Sequence, residues 1–315
     1  MNNQIRIEAG YRVHINSIDM NGSLRRACGG IGFSLEEPKI KPVIERVTDE
    51  DTYSHEVLRN ITGVIKRKWG INGKYRIVCT SSLYSHVGLG SETQLNFMIA
   101  KGLLGLNNMN VSTYEIAKTL NLANTSGIGY GSFDGGGLII DLGYPLRPGQ
   151  KPFAEHSDIP PQVVMNYSAP KNWKVIIIIP NNVKSLSGKI ENDFYEKITP
   201  VDMKDAQEIC YDIFMGILPS MKENKFDNFL YYLSRMSELG TKRYELEINE
   251  RITTEILNLL KEEFDFAGMS SLGPACYAFF DEHERQVNLR HLSKKFPNCQ
   301  VFVTNIRNRG VQIYG

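Results

Sequence analysis

Apolar and polar positions alternate from the start of the chain. IRIEAGYRVHI (residues 5–15) has the period of a strand, and YRIVCT (75–80) and GLIIDLG (137–143) predict two more. The period then changes. Leu95, Met98, Ile99, Gly102, Leu103 and Leu106 fall on one face at helical spacing, and Tyr114, Ile116, Ala117 and Leu120 predict a shorter helix capped by Ser112 or Thr113. Between 145 and 172 the chain carries six of its 13 prolines, which places a boundary there and predicts domains at 1–160 and 161–315. Beyond it, WKVIIIIP is continuous enough to be buried on both faces. Helical patterns follow on Phe226, Phe229, Leu230, Leu233, Met236 and Leu239, then on Ile252, Ile256, Leu259, Leu260 and Phe264. VFVTNI (301–306) ends the series as a strand. Each half is therefore expected to be α+β.

Composition narrows the function classes. A chain of 315 residues with 42% hydrophobic content can build real cores, and 36 basic against 35 acidic residues argues against a nucleic-acid partner. The longest apolar run, VIIII at 175–179, falls far short of the ~20 residues of a membrane-crossing helix. The N-terminal stretch lacks the apolar segment of a secretory signal, so a cytoplasmic location is expected. Cys28, Cys79, Cys210, Cys276 and Cys299 are scattered without metal-ligand spacing and read as reduced and structural.

Five glycine-containing loops carry the candidate chemistry. In HVGLGSETQ (86–94), Gly88 and Gly90 let successive amides turn toward one point, and Ser91 and Thr93 are placed to cap a helix whose positive end faces the same point. That combination reads as a phosphate cradle, although bare glycine spacing also fits a plain strand-to-helix turn. In IDMNGSLRRACGGIG (18–32), Asp19 and Asn21 precede a basic pair, Arg25 and Arg26, able to bring a carboxylate and a guanidinium to one ligand. NTSGIGYGSFDGGGLIID (124–141) surrounds Ser126 and Asp134 with six glycines, a composition that packing alone does not explain. GMSSLGPACYAF (268–279) and NIRNRGVQI (305–313) complete the set.

Together these motifs resemble one family. HVGLGSETQ resembles the phosphate loop of the GHMP kinase superfamily, and GMSSLGPACYAFF stands where that superfamily has its C-terminal glycine-rich motif. The order IDMNG, GGIG, LEEP, HVGLGS-TQ, TSGIG, LSGKIE (186–191), GMSS-GP and VFVT…NRG is similar to β-ribofuranosylaminobenzene 5′-phosphate synthases, a non-kinase branch. The resemblance implies a GHMP-kinase-like two-domain α+β fold, with a mixed-sheet N-terminal domain and a ferredoxin-like C-terminal domain. It implies a decarboxylating phosphoribosyltransferase, a C-glycoside synthase that joins phosphoribosyl pyrophosphate to para-hydroxybenzoate, para-aminobenzoate or a heteroaromatic acid and releases carbon dioxide and pyrophosphate. An ATP-dependent GHMP small-molecule kinase is the alternative reading, and a non-catalytic phosphometabolite sensor a third. The site residues implied are Asp19 and Arg26 as catalytic, with Arg26 orienting the aromatic carboxylate. Asn21, Arg25, Gly88, Gly90, Ser91, Thr93, Gln94, Ser126, Gly127, Ser270, Ser271, Gly273, Arg307 and Arg309 are expected to bind substrate. Mg²⁺ is the implied cofactor, with Asp19 and Glu92 as metal candidates, Glu92 reading equally as a solvent-facing side chain. The family analogy also implies a homodimer. Tyr144 and the lead into TSGIG depart from the family pattern at segments expected to line the ring pocket.

Overall fold

The structure is a computed structural model that describes residues 3–153, 159–183, 185–186, 188–249 and 251–315, so Ser187 of the LSGKIE motif lies outside the described residues. In chain order the elements are β1 (Gln4–Asp19), β2 (Arg26–Ile40), β3 (Pro42–Val47), β4 (Thr52–Tyr53), α1 (Glu56–Trp69), β5 (Lys74–Cys79), α2 (Ser91–Leu106), α3 (Thr113–Leu120), α4 (Ile128–Asp134), β6 (Leu138–Asp141), β7 (Tyr144–Pro145) and β8 (Val163–Tyr167). There follow β9 (Trp173–Pro180), α5 (Lys189–Ile198), α6 (Met203–Tyr211), a π-helical turn (Asp212–Ile217), α7 (Leu218–Glu223), α8 (Phe226–Ser237), α9 (Gly240–Glu247), α10 (Arg251–Lys261), β10 (Ala267–Met269), β11 (Cys276–Asp281), α11 (Leu289–Lys295), β12 (Cys299–Asn305) and β13 (Gln312–Tyr314).

Two sheets organise the molecule, and the fold is α+β as expected. Among the described residues the larger has nine strands, in the order β4-β5-β3-β1-β2-β6-β8 with β13 on β1 and β7 on β2. It is mixed only through β4, which runs parallel to β5. The smaller has the antiparallel order β10-β11-β9-β12. Full burial of WKVIIIIP, usual in parallel sheets, here has another cause. Val175, Ile177 and Ile179 face the core shared with β1 and α2, whereas Ile176 and Ile178 face the core under α10 and α11. Each fully buried side chain of this kind contributes roughly 1.5–3 kcal/mol. β9 thus serves two cores at once.

Local signals explain the helix ends. Ser112, rather than Thr113, caps α3, its hydroxyl accepting from the Glu115 amide at 3.1 Å. α1 stops at Gly70, which adopts φ 64°. β1 links the two halves. It is long enough to cross from the N-terminal edge to α9, and its Asn16 amide reaches the Met236 carbonyl at 2.7 Å.

Candidate active site between the two sheets

Strand alternation puts Arg12 and His14 on one face of β1, turned toward the 86–94 loop rather than toward solvent. The Arg12 Nη1 donates to the Gly88 carbonyl at 2.6 Å, and its backbone amide donates to the Leu89 carbonyl at 3.1 Å. Gly88 (φ 81°) and Gly90 (φ 68°) have a structural reason to be glycine. A Cβ on Gly88 would stand 2.4 Å from the Ser270 carbonyl oxygen, and one on Gly90 would stand 2.7 Å from Arg12 Nε. The side on which a ligand was expected to approach these glycines is therefore filled by protein. What remains open is the start of α2. Its N-cap is Gly90, with no side-chain cap, so Ser91 and Thr93 do not perform the expected capping, and among the described residues no side chain pairs the first amides of α2. Such a helix start attracts anions. Thr93, Ser126, Gly129 and Arg12 line a cleft of about 300 Å³ at this point. Burial lowers the Arg12 pKa to about 10, opposed by the nearby Glu191, which leaves it charged at neutral pH.

Next to this cleft lies an acid that ends an apolar strand. Asp141 closes β6 fully buried, its Oδ2 accepting from the Gly127 amide at 2.9 Å and its Oδ1 from the Gly143 amide at 2.8 Å. Ser126 Oγ stands 3.5 Å from the same carboxylate. Desolvation pushes the acid up to about 7, against the pull of these donors. Gly30 leaves room for the pair opposite: its Cβ would meet Asp141 Oδ2 at 3.0 Å and His14 Nε2 at 3.1 Å. The His14 pKa falls well below the usual imidazole range, first through burial and then through the charges of Arg12 and Lys242. Its surroundings favour the neutral imidazole.

The 268–274 turn closes the site from the second sheet. Ser270 Oγ donates to the Gly88 carbonyl at 2.7 Å and accepts from the His14 amide at 3.1 Å, while the Ser271 amide donates to the His14 carbonyl at 3.0 Å. Ser270 is thereby fastened to both the loop and β1. Behind it, Lys242 on α9 is 3% exposed and donates to Glu245 Oε2 at 2.5 Å and to the Ser271 carbonyl at 3.0 Å. Glu245 Oε1 accepts from Tyr195 of α5 at 3.0 Å and from Thr241 at 2.9 Å. Hydrogen bonds thus run from α5 through the buried Lys242–Glu245 pair to the 268–274 turn, which Ser270 fastens to the 86–94 loop.

The other expected residues separate into groups. Gln94 is buried and donates to the Gly129 carbonyl at 2.6 Å, whereas Glu92 is exposed. Gly273 adopts φ 68° at the closing turn. Asp19 is committed to its own loop, Oδ1 accepting from the Asn21 amide at 2.8 Å and the Gly22 amide at 3.1 Å. Asn21 in turn donates to the Val201 carbonyl at 2.7 Å. Arg25 and Arg26 are exposed, and Arg26 spends Nε and Nη2 on the Leu142 and Gly143 carbonyls at 3.1–3.2 Å. Arg26 therefore clamps the turn that follows Asp141. Arg307 and Arg309 stand elsewhere. Arg307 is 2% exposed and pairs with Glu36 at 3.0 Å, and Arg309 meets the same carboxylate at 2.8 Å. Both are engaged by Glu36 of β2, and Arg307 also reaches Glu8 of β1 at 3.5 Å. Among the described residues no group of three or more His, Cys, Asp or Glu side chains is arranged to hold a metal, and no ion pair or hydrogen bond joins Asp19 to Glu92. The residues present therefore do not form a protein-only magnesium cage.

Arg12, Lys242 and Glu245 lie outside every motif, while Asp141 and Glu191 end the 124–141 and LSGKIE motifs without being expected site residues. Asp141 had a usable signal, an acid closing the otherwise apolar GLIID. Arg12 sat on what alternation presents as a solvent face of β1, and Lys242 and Glu245 belong to TKRYELE, a stretch with no apolar stripe.

No protein-family model matches the chain. Full-length curated relatives do. The beta-ribofuranosylphenol 5′-phosphate synthase of Archaeoglobus fulgidus is 33% identical, over 98% of this chain and 99% of its own length. The protein of the same name from Methanocaldococcus jannaschii is 32% identical over 98% and 99%. Among solved structures, a homoserine kinase from Cytophaga hutchinsonii superposes with TM-score 0.67 at 13% identity, over 100% of this chain and 98% of that one. The phosphomevalonate kinase of Streptococcus pneumoniae gives TM-score 0.67 at 9% identity, over 97% and 100%. At such identities these likenesses speak to the fold, which is GHMP-kinase-like over the whole chain.

Proposed function

The chain belongs to the beta-ribofuranosylphenol 5′-phosphate synthase family, and from that premise we propose that it joins phosphoribosyl pyrophosphate to an aromatic carboxylic acid such as para-hydroxybenzoate, releasing carbon dioxide and pyrophosphate. The product implied by the relatives' name has three parts, a ring with a hydroxyl, a ribofuranose and a 5′-phosphate. Each needs a different environment. The observation that carries the reading is the meeting of Arg12 with the uncapped start of α2 in one cleft, closed over by the Ser270–Ser271 turn.

In this reading the α2 amides and Arg12 take the phosphate oxygens of the donor, because charge-assisted contacts in a partly dry cleft stabilise a departing dianion far better than water does. A magnesium ion, for which the described residues form no cage, would be held by the donor's own diphosphate and would supply positive charge to the leaving group there. Loss of pyrophosphate leaves an oxocarbenium-like ribose. Buried neutral His14 and the Asp141 side keep that face from solvent, so that carbon rather than water is the nucleophile. The ring attacks through the carbon that bears its carboxylate, and loss of carbon dioxide restores aromaticity. No base is required at that carbon. Arg26 becomes a residue that holds the 142–143 turn, and Asp141, by accepting from the Gly127 amide, fixes the loop that presents Ser126 to the cleft.

Tyr195, Phe153, Tyr144, Leu272 and Met20 form a packed apolar cluster. Phe153 and Tyr195 stack at 4.2 Å between centroids. The experiment is a screen of aromatic and heteroaromatic acids with the phosphoribosyl donor and Mg²⁺, read by mass, with labelled ATP and simple alcohols as a parallel arm. Decarboxylated C-ribosides are expected. Consumption of ATP with phosphorylation of an alcohol would replace this reading by a kinase.

A further inference from the structure

Glu191, the last residue of LSGKIE, takes no part in holding the donor phosphates. It lies in the first turn of α5, and four residues later on the same face stands Tyr195, which packs into the aromatic cluster. Its carboxylate is within electrostatic reach of Arg12 on β1 and of Glu245 on α9, and Tyr195 feels it in turn. Lys242, already engaged by Glu245, is the other buried cation of this wall. Among the described residues no hydrogen bond holds the Glu191 carboxylate, although much of it is withdrawn from water. A half-buried acid that no protein donor holds, on a helix face shared with Tyr195 and close enough to Arg12 to feel its charge, is open to a donor carried by a ligand.

We propose that Glu191 selects the acceptor: its carboxylate receives the hydrogen of the ring hydroxyl or amino group opposite the reacting carbon. This deepens the function proposed above and rests on it. When the ring carbon forms its bond to ribose C1, the C1–O bond to pyrophosphate breaks and the electron pair leaves with pyrophosphate. Positive charge then develops on the ring and reaches the substituent oxygen. Transfer of the hydroxyl proton to Glu191 discharges it, giving a neutral dienone that still bears the carboxylate. The ring–carboxylate bond then breaks, its electron pair returns to the ring as phenolate, carbon dioxide leaves, and Glu191 returns the proton. Burial and Glu245 lift Glu191 to about 7, opposed by Arg12, which suits a group that takes and returns a proton near neutrality.

The test compares wild type with Glu191→Gln on para-hydroxybenzoate and on para-methoxybenzoate, which has no proton to give, with donor affinity and thermal unfolding measured on both proteins. Wild type is expected to favour the hydroxyl acid strongly. Glu191→Gln is expected to lose about 100-fold or more in kcat on it, the usual size of a general-base effect, while turning over the methoxy acid as wild type does and keeping its donor affinity. The fall in wild-type kcat/KM below pH about 7 should also vanish in the variant. An unchanged hydroxyl-to-methoxy ratio, with the hydroxyl acid still converted, overturns the role of Glu191 and leaves the reaction standing. Failure of wild type to convert any acid overturns the reaction itself, and the role with it.

Discussion

Replacing Lys242 by methionine removes the cation from a pair in which both side chains are 3% exposed. The Glu245 carboxylate then keeps only the Tyr195 and Thr241 hydroxyls as donors, at 3.0 and 2.9 Å, and no positive charge. Breaking one side of such a buried pair costs about 3–5 kcal/mol, because the remaining ion stays out of water. For a chain of this size that corresponds to roughly 5–8 °C in Tm. Adding Glu245→Gln should recover about 2 kcal/mol, since the amide oxygen still accepts from Tyr195 and Thr241 while the uncompensated charge disappears. Urea unfolding of the four proteins of the cycle measures this. A single variant within about 1 kcal/mol of wild type would refute the idea that this pair ties α5 and α9 to the Ser271 turn.

Arg12→Ala should raise the donor Kd or KM by about 100-fold, the loss of one charge-assisted phosphate contact, with little change in Tm. Steady-state kinetics with the donor varied checks it. Gly88→Ala must fit a Cβ 2.4 Å from the Ser270 oxygen at φ 81°, so it should lose about 2 kcal/mol or more of stability and most activity together, by unfolding and turnover assays. Asp141 has a folded pKa of about 7, above its unfolded value, so the folded state binds the extra proton between about pH 4 and 7. Its contribution to stability is therefore present below pH 4 and lost as the pH rises to 7, on the order of 2–4 kcal/mol. Asp141→Asn should remove that part of the pH dependence, measured as the difference between variant and wild type in unfolding free energy at pH 5 and pH 8.

The strands and helices with a single strong period are plain in the sequence. α2 announces itself through Leu95, Met98, Ile99 and Leu103, all buried, and β9 through its run of isoleucines. Less visible are α5 to α7, whose exposed polar faces and short lengths leave few apolar positions to count, and β3, hidden behind Pro42. The phosphate loop and the Ser270 turn were recognisable as motifs, yet their meeting depends on contacts 182 residues apart in sequence, such as Ser270 with Gly88. Pattern alone also treats arginines alike. Arg307 and Arg309, flanking a glycine turn, look more like anion contacts than Arg12 does, but Glu36 engages both of them, while only one Arg12 nitrogen is engaged by a loop carbonyl. Charge in a sequence says nothing about which acid the fold brings beside it.

The location of the donor is the most direct test of the proposed chemistry. A crystal structure of the protein with phosphoribosyl pyrophosphate and Mg²⁺ should place the phosphates against the first amides of α2 with Arg12 in contact, and ribose C1 facing Tyr195 and Glu191. Phosphates bound elsewhere, on the outer face of the large sheet near Arg6 and Arg76 for instance, would contradict it.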